Sequence, residues 1–113
     1  MDIKERVVGG VSILDVSGKI VLGEGDVQLK DRIKDLLSDG QRRILLNLAE
    51  VNYIDSAGLG SLIGSYTTVK RDGGSLKLVN LTKRIQDLLA ITKLITVFET
   101  FDHEPEALAS FGA

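Results

Sequence analysis

The chain has no cysteine and no tryptophan, one histidine and one proline. Without thiols there are no disulfides, no thiolate nucleophile and no thiolate metal site. A single histidine, His103, excludes any mechanism that needs two, and its position beside Glu104 and Pro105 reads as surface. No apolar stretch is long enough to span a bilayer, and Met1-Asp2-Ile3-Lys4-Glu5-Arg6 lacks the apolar core of a signal peptide. A cytoplasmic location without membrane insertion is therefore expected. Positive charge is not in excess either. Fourteen Lys and Arg against sixteen Asp and Glu leave a net charge of −2, so no nucleic-acid or anionic-membrane surface is expected.

What is present is an ordinary globular composition, 43% hydrophobic and 27% charged over 113 residues. It suits one domain, residues 1–113, with a single modest core. Ile3–Val8 and Val11–Val16 are β-rich runs separated by Gly9-Gly10, the pattern of a hairpin. Gly18 to Gly25 reads as a loop or short extended segment with an apolar insert, Ile20-Val21-Leu22. Asp26 is the expected N-cap of a helix running to about Asp39. Leu29, Ile33, Leu36 and Leu37 give that helix one apolar stripe, and Gly40 follows it.

Arg43 to Leu48 reads as a central strand, extended onward through Val51–Ile54. A second helix is expected from Ser56 or Ala57 to about Asp72, burying Leu59, Leu62, Ile63, Tyr66 and Val69, with Gly73-Gly74 as its stop. Leu76–Val79 is a further strand and Thr82 the cap of a third helix. Thr96–Thr100 is a last short strand, and Pro105 begins a terminal helix with Ala107, Leu108 and Phe111 inward. The order ββαβαβαβα implies an α/β fold with right-handed crossovers and an at least partly parallel sheet. Each β-to-α turn then opens at the carboxyl edge of the sheet, where such folds place their sites.

One of those turns, Tyr53-Ile54-Asp55-Ser56-Ala57-Gly58-Leu59-Gly60, holds an acid, a hydroxyl and two glycines. Asp55 or Ser56 can cap the helix, and Gly58 and Gly60 can let it pack closely on the sheet. Two glycines in the opening turns nevertheless cost about 1 kcal/mol each relative to alanine, which points to something approaching the backbone. A nucleotide fits poorly: there is no P-loop, and Gly64 falls one position late for a dinucleotide fingerprint. The G-x-S-x-G elbow of a serine hydrolase is absent. Asp55 has no second metal ligand at helical or loop spacing, and Glu24 and Asp26 flank a glycine on another loop. No cofactor and no catalysis are expected. Ser56 as a phosphoryl acceptor remains, a new charge on an exposed helix start that leaves the core alone.

Asp55-Ser56-Ala57-Gly58-Leu59-Gly60, preceded by Leu46-Asn47-Leu48 and Tyr53-Ile54, resembles the anti-sigma factor antagonist family of STAS domains. The resemblance extends through Gly73-Gly74-Ser75-Leu76-Lys77-Leu78 and Leu88 to Leu94. It implies a single STAS-type domain, a mixed four- to five-stranded sheet with about four helices packed mainly on one face. It also implies partner switching in transcription regulation. The unphosphorylated protein binds an anti-sigma factor that is a serine kinase, a histidine-kinase-like ATPase. Phosphorylation of Ser56 dissolves the complex, and a PP2C-type phosphatase resets it. The implied contact surface is Asp55, Ser56, Ala57, Gly58, Leu59 and Gly60, with Glu24 and Asp26 at its edge. In Gly18-Lys19-Ile20-Val21, lysine and valine stand where the family carries acids. Either Glu24 or Asp26 substitutes, or the partner surface differs. The alternative is a STAS scaffold used without phosphorylation, as a subunit of a signalling or lipid-transport complex.

Overall fold

The computed structural model describes residues 1–112. Gly9 and Gly10 both take positive φ, 57° and 80°, as a two-residue type I′ turn requires. They fold β1 (Asp2–Val8) back onto β2 (Val11–Ile20), antiparallel, with Val8 opposite Val11. β3 (Arg43–Ile54), β4 (Ser75–Val79) and β5 (Thr100–Phe101) add in chain order as parallel neighbours, giving a mixed five-stranded sheet. The crossovers carry α1 (Gly25–Ser38), α2 (Ser56–Arg71) and α3 (Lys83–Ile91), and α4 (Glu104–Ser110) closes the chain.

The larger core lies under α1, α2 and α3. Leu14, Ile20, Ile44, Leu46 and Leu48 of the sheet meet Leu29 and Ile33 of α1, Leu62 and Val69 of α2, and Ile85 and Leu89 of α3. The opposite face buries Val11, Ile13, Leu45 and Val79 against Ala107, with Leu108 and Phe111 half-buried beside them. The helices thus sit mainly on one face, as expected, with only the short α4 on the other. None of the described helices is long and apolar enough to cross a membrane.

Four local expectations are corrected. β2 does not stop at Val16. Gly18 takes φ 95° and the strand shifts register there, then runs on to pair Lys19 with Tyr53 and Ile20 with Ile54, so the glycine marks a bulge. Asp26 is not the cap of α1. The helix already begins at Gly25, and the Val21 carbonyl accepts from both Glu24 N–H (3.3 Å) and Asp26 N–H (3.2 Å), a backbone solution that needs no capping side chain. Residues 96–99 are not strand. Lys93 turns left-handed at φ 63°, Leu94–Thr96 makes one 3₁₀ turn, and buried Phe98 stacks edge-on to Tyr66 at 5.1 Å, leaving only Thr100 and Phe101 to pair. Within α2, Leu62 and Val69 are fully buried while Leu59, Ile63 and Tyr66 are only half-buried, packed against the outside of the main core.

α4 is tied down by charge. The Arg6 guanidinium bonds to Asp15 (2.6 and 3.0 Å) and to Glu104 at the start of α4, and the buried Lys77 ammonium donates to the Ser110 carbonyl (2.9 Å) at its end. Arg6 holds the Asp15 carboxyl below the usual carboxylate range, helped by the Asn47 amide. A carboxyl depressed on folding contributes stability above its unfolded pKa, near 3.9, and loses it as pH falls through the folded value. Thermal stability should therefore decline below about pH 4, and Asp15→Asn should flatten part of that decline. An acid limb unchanged in the variant would contradict this role.

Candidate functional site

Because β2 and β3 are parallel, Ile20 and Ile54 end side by side, and both chain exits open at one edge of the sheet. β3 passes directly into α2. β2 passes through a short loop, residues 21–24, into α1. The acid-hydroxyl-glycine turn and the loop with the displaced acids are thus neighbours, brought together across more than thirty residues of sequence.

Asp55 joins them. Its backbone is extended (φ −91°, ψ −177°), and its carboxylate accepts twice: Oδ1 from the Gly58 N–H at 2.8 Å, as N-cap of α2, and Oδ2 from the Leu22 N–H at 3.1 Å. Its own N–H donates to the Ile20 carbonyl at 3.3 Å. The Gly58 amide, followed by that of Leu22, holds the Asp55 carboxyl below its ordinary range, so it is ionised at neutral pH. One turn further, the buried Ser61 hydroxyl donates to the Asp26 carbonyl at 2.7 Å.

With the cap supplied by Asp55, Ser56 has no structural duty. It is the first residue of α2, exposed, and among the described residues its hydroxyl makes no hydrogen bond. Ala57 and Leu59 are half-buried, Leu59 against the main core. The two glycines differ. A Cβ on Gly58 would overlap the Ile20 carbonyl oxygen and lie 2.8 Å from the carbonyl carbon, so Gly58 is required by the fold itself. The space beside it is filled by β2 rather than left open for a partner. A Cβ on Gly60 would meet nothing within 4 Å.

The flanking acids are arranged unequally. Glu24 is exposed and turned towards the Met1 amino group, 3.5 Å away. Asp26 is half-buried, and its carboxylate accepts from the Val27 N–H at 2.8 Å. Lys19 is exposed at the same edge, paired in register with Tyr53. Residues not singled out from the sequence also belong here. Leu22, whose amide meets the Asp55 carboxylate, is 74% exposed, and Val27, which follows the Asp26 carbonyl held by Ser61, is 49% exposed. An apolar Leu22 inside a glycine-flanked loop was the available signal; nothing local distinguished Val27 or Ser61.

The STAS domain family matches residues 2–107. An anti-sigma-B factor antagonist of Bacillus subtilis is 39% identical over 98 residues, covering 87% of this chain and 80% of the relative. The crystal structure of the Thermotoga maritima protein TM1081 superposes with a TM-score of 0.90 at 25% identity, covering 98% of this chain and 95% of that one. The Bacillus cell fate determinant SpoIIAA in its phosphorylated form gives a TM-score of 0.74 at 17% identity, covering 96% and 98%; at that identity the likeness is one of fold.

Proposed function

The chain belongs to the STAS domain family, among its anti-sigma factor antagonists, and from that premise we propose that it is a partner switch controlled by phosphorylation of Ser56. Unmodified, it binds an anti-sigma factor that is also a serine kinase of the histidine-kinase-like ATPase type, so that the sigma factor is freed. The kinase then transfers the γ-phosphoryl of ATP. The Ser56 Oγ–P bond forms, the bond from phosphorus to the β–γ bridging oxygen breaks, ADP leaves, and the hydroxyl proton passes to a base on the kinase. A PP2C-type phosphatase restores the hydroxyl. In this reading the domain is a cytoplasmic ligand and substrate, without catalysis of its own.

The observation that carries the proposal is the exposed, unbonded Ser56 hydroxyl on the first turn of α2, where Asp55 already performs the capping. The contact surface is Asp55, Ser56, Ala57, Leu59 and Gly60, with Glu24 and Asp26 on its rim; Gly58, packed against β2, supports it from within. Titrated with its cognate histidine-kinase-like anti-sigma factor in a calorimeter, the unmodified chain should bind with a micromolar or tighter Kd; absence of binding would contradict the proposal.

Gly60 offers a second check. An exposed glycine inside a helix with open space at its Cβ position should gain about 0.5–1 kcal/mol on replacement by alanine. Gly60→Ala is thus expected to raise the melting temperature while weakening the complex, if the partner's backbone closes over this turn. A variant that is stabilised and binds as before would remove Gly60 from the interface.

A further inference from the structure

The Asp55 carboxylate does two jobs, and only one of them concerns α2. The cap on Gly58 belongs to the helix; the bond to Leu22 N–H belongs to a loop 33 residues earlier. Ser61 repeats the pattern from the next turn, holding the carbonyl of Asp26. Between these two ties lie residues 22–26. Leu22 is 74% exposed on a loop whose backbone is fixed at that residue by the Asp55 carboxylate.

We infer that Asp55 is a positioning residue for the partner surface: by holding the Leu22 amide it sets the β2–α1 loop so that Leu22 stands beside the Ser56 turn as an apolar anchor for the anti-sigma factor. Ser61 assists from the Asp26 side. The surface fits a partner patch that is apolar where it receives Leu22 and carries no cation placed to pair a charge on Ser56. This deepens the partner-switching reading and rests on it. It also bears on the missing acids of the Lys19–Val21 stretch: the loop there contributes through leucine and through its fixed backbone.

Asp55→Asn separates the two jobs. Asparagine caps helices about as well as aspartate, but its side chain has one acceptor oxygen, which the Gly58 cap takes, and its amide group cannot accept from Leu22. The variant should keep its melting temperature within about 2 °C of the wild type, while the Leu22 amide exchanges hydrogen at least about tenfold faster. Affinity for the kinase should fall about five- to tenfold, and Leu22→Ser should fall by a similar factor. Asp55→Asn combined with Leu22→Ser should bind no worse than Leu22→Ser alone, since both remove one anchor.

Fully additive losses, or an Asp55→Asn protein that binds weakly with its Leu22 amide still protected, would overturn the positioning role. So would a released Leu22 amide with unchanged affinity. Wild-type protein that ignores the kinase would sink the functional reading and the docking role with it. Bound wild type with indifferent Asp55→Asn and Leu22→Ser variants would sink this inference alone.

Discussion

Ser56→Asp should lower affinity for the anti-sigma factor kinase about 100- to 1000-fold, while Ser56→Ala binds at least as well as the wild type. Ser56 is exposed and unbonded, so neither change disturbs the core, and the two variants should melt together. The difference arises on docking. A new carboxylate beside the ionised Asp55, about 6 Å away in a medium of effective ε near 20, meets about 3 kcal/mol of repulsion. Closing a partner over it removes the water that screens that repulsion and leaves the charge unpaired, a penalty of about 3–4 kcal/mol. That corresponds to two to three decades in Kd. Phosphoserine carries nearly twice the charge and should do more. Calorimetric titration of the three proteins gives the ratios directly; equal affinities for Ser56→Ala and Ser56→Asp would contradict an electrostatic switch.

Gly58→Ala should be the most damaging single-methyl change in the turn. The added Cβ overlaps the Ile20 carbonyl oxygen and sits 3.0 Å from the Ile20 Cγ2. Two of the atoms it meets are backbone at the end of β2, which is held by the Asp55 N–H and by pairing with β3. Nothing flexible can move aside. The helix-propensity gain of about 1 kcal/mol is outweighed by overpacking of about 3 kcal/mol or more. The net effect should lower the melting temperature by roughly 10 °C, against a rise for Gly60→Ala two residues on. Urea unfolding of the pair decides the matter. If Gly58→Ala is as stable as Gly60→Ala, the close approach of α2 to β2 is not what selects glycine at 58.

The contrast between those glycines shows where local reading ends. The Gly9-Gly10 hairpin, the apolar stripe of α1, the Thr82 cap and the Pro105 start were legible because each depends on residues within a turn or two of one another. The Thr82 hydroxyl does accept from the Ile85 N–H, at 3.3 Å. Gly58 and Gly60 look alike in the sequence, and only the position of Ile20, 38 residues upstream, gives one of them a packing reason. The same holds for Asp55, whose capping role was readable and whose bond to Leu22 was not. Asp26 failed as a cap because the Val21 carbonyl met the helix's free amides first. The 96–100 strand failed because Phe98 is drawn into the core beside Tyr66. Ser56 was singled out by elimination and by family resemblance, and the fold adds that it is exposed at the start of α2. That Leu22 comes to lie beside the same turn needed the fold.

The most direct measurement starts from the purified complex of this chain with its cognate histidine-kinase-like anti-sigma factor, to which ATP is added. The account predicts an added phosphoryl group located at Ser56 by mass spectrometry and loss of the complex on size exclusion, with Ser56→Ala remaining both unmodified and bound. A complex that ATP leaves intact, with Ser56 unmodified, would contradict the switch and favour a permanent scaffold role for this domain.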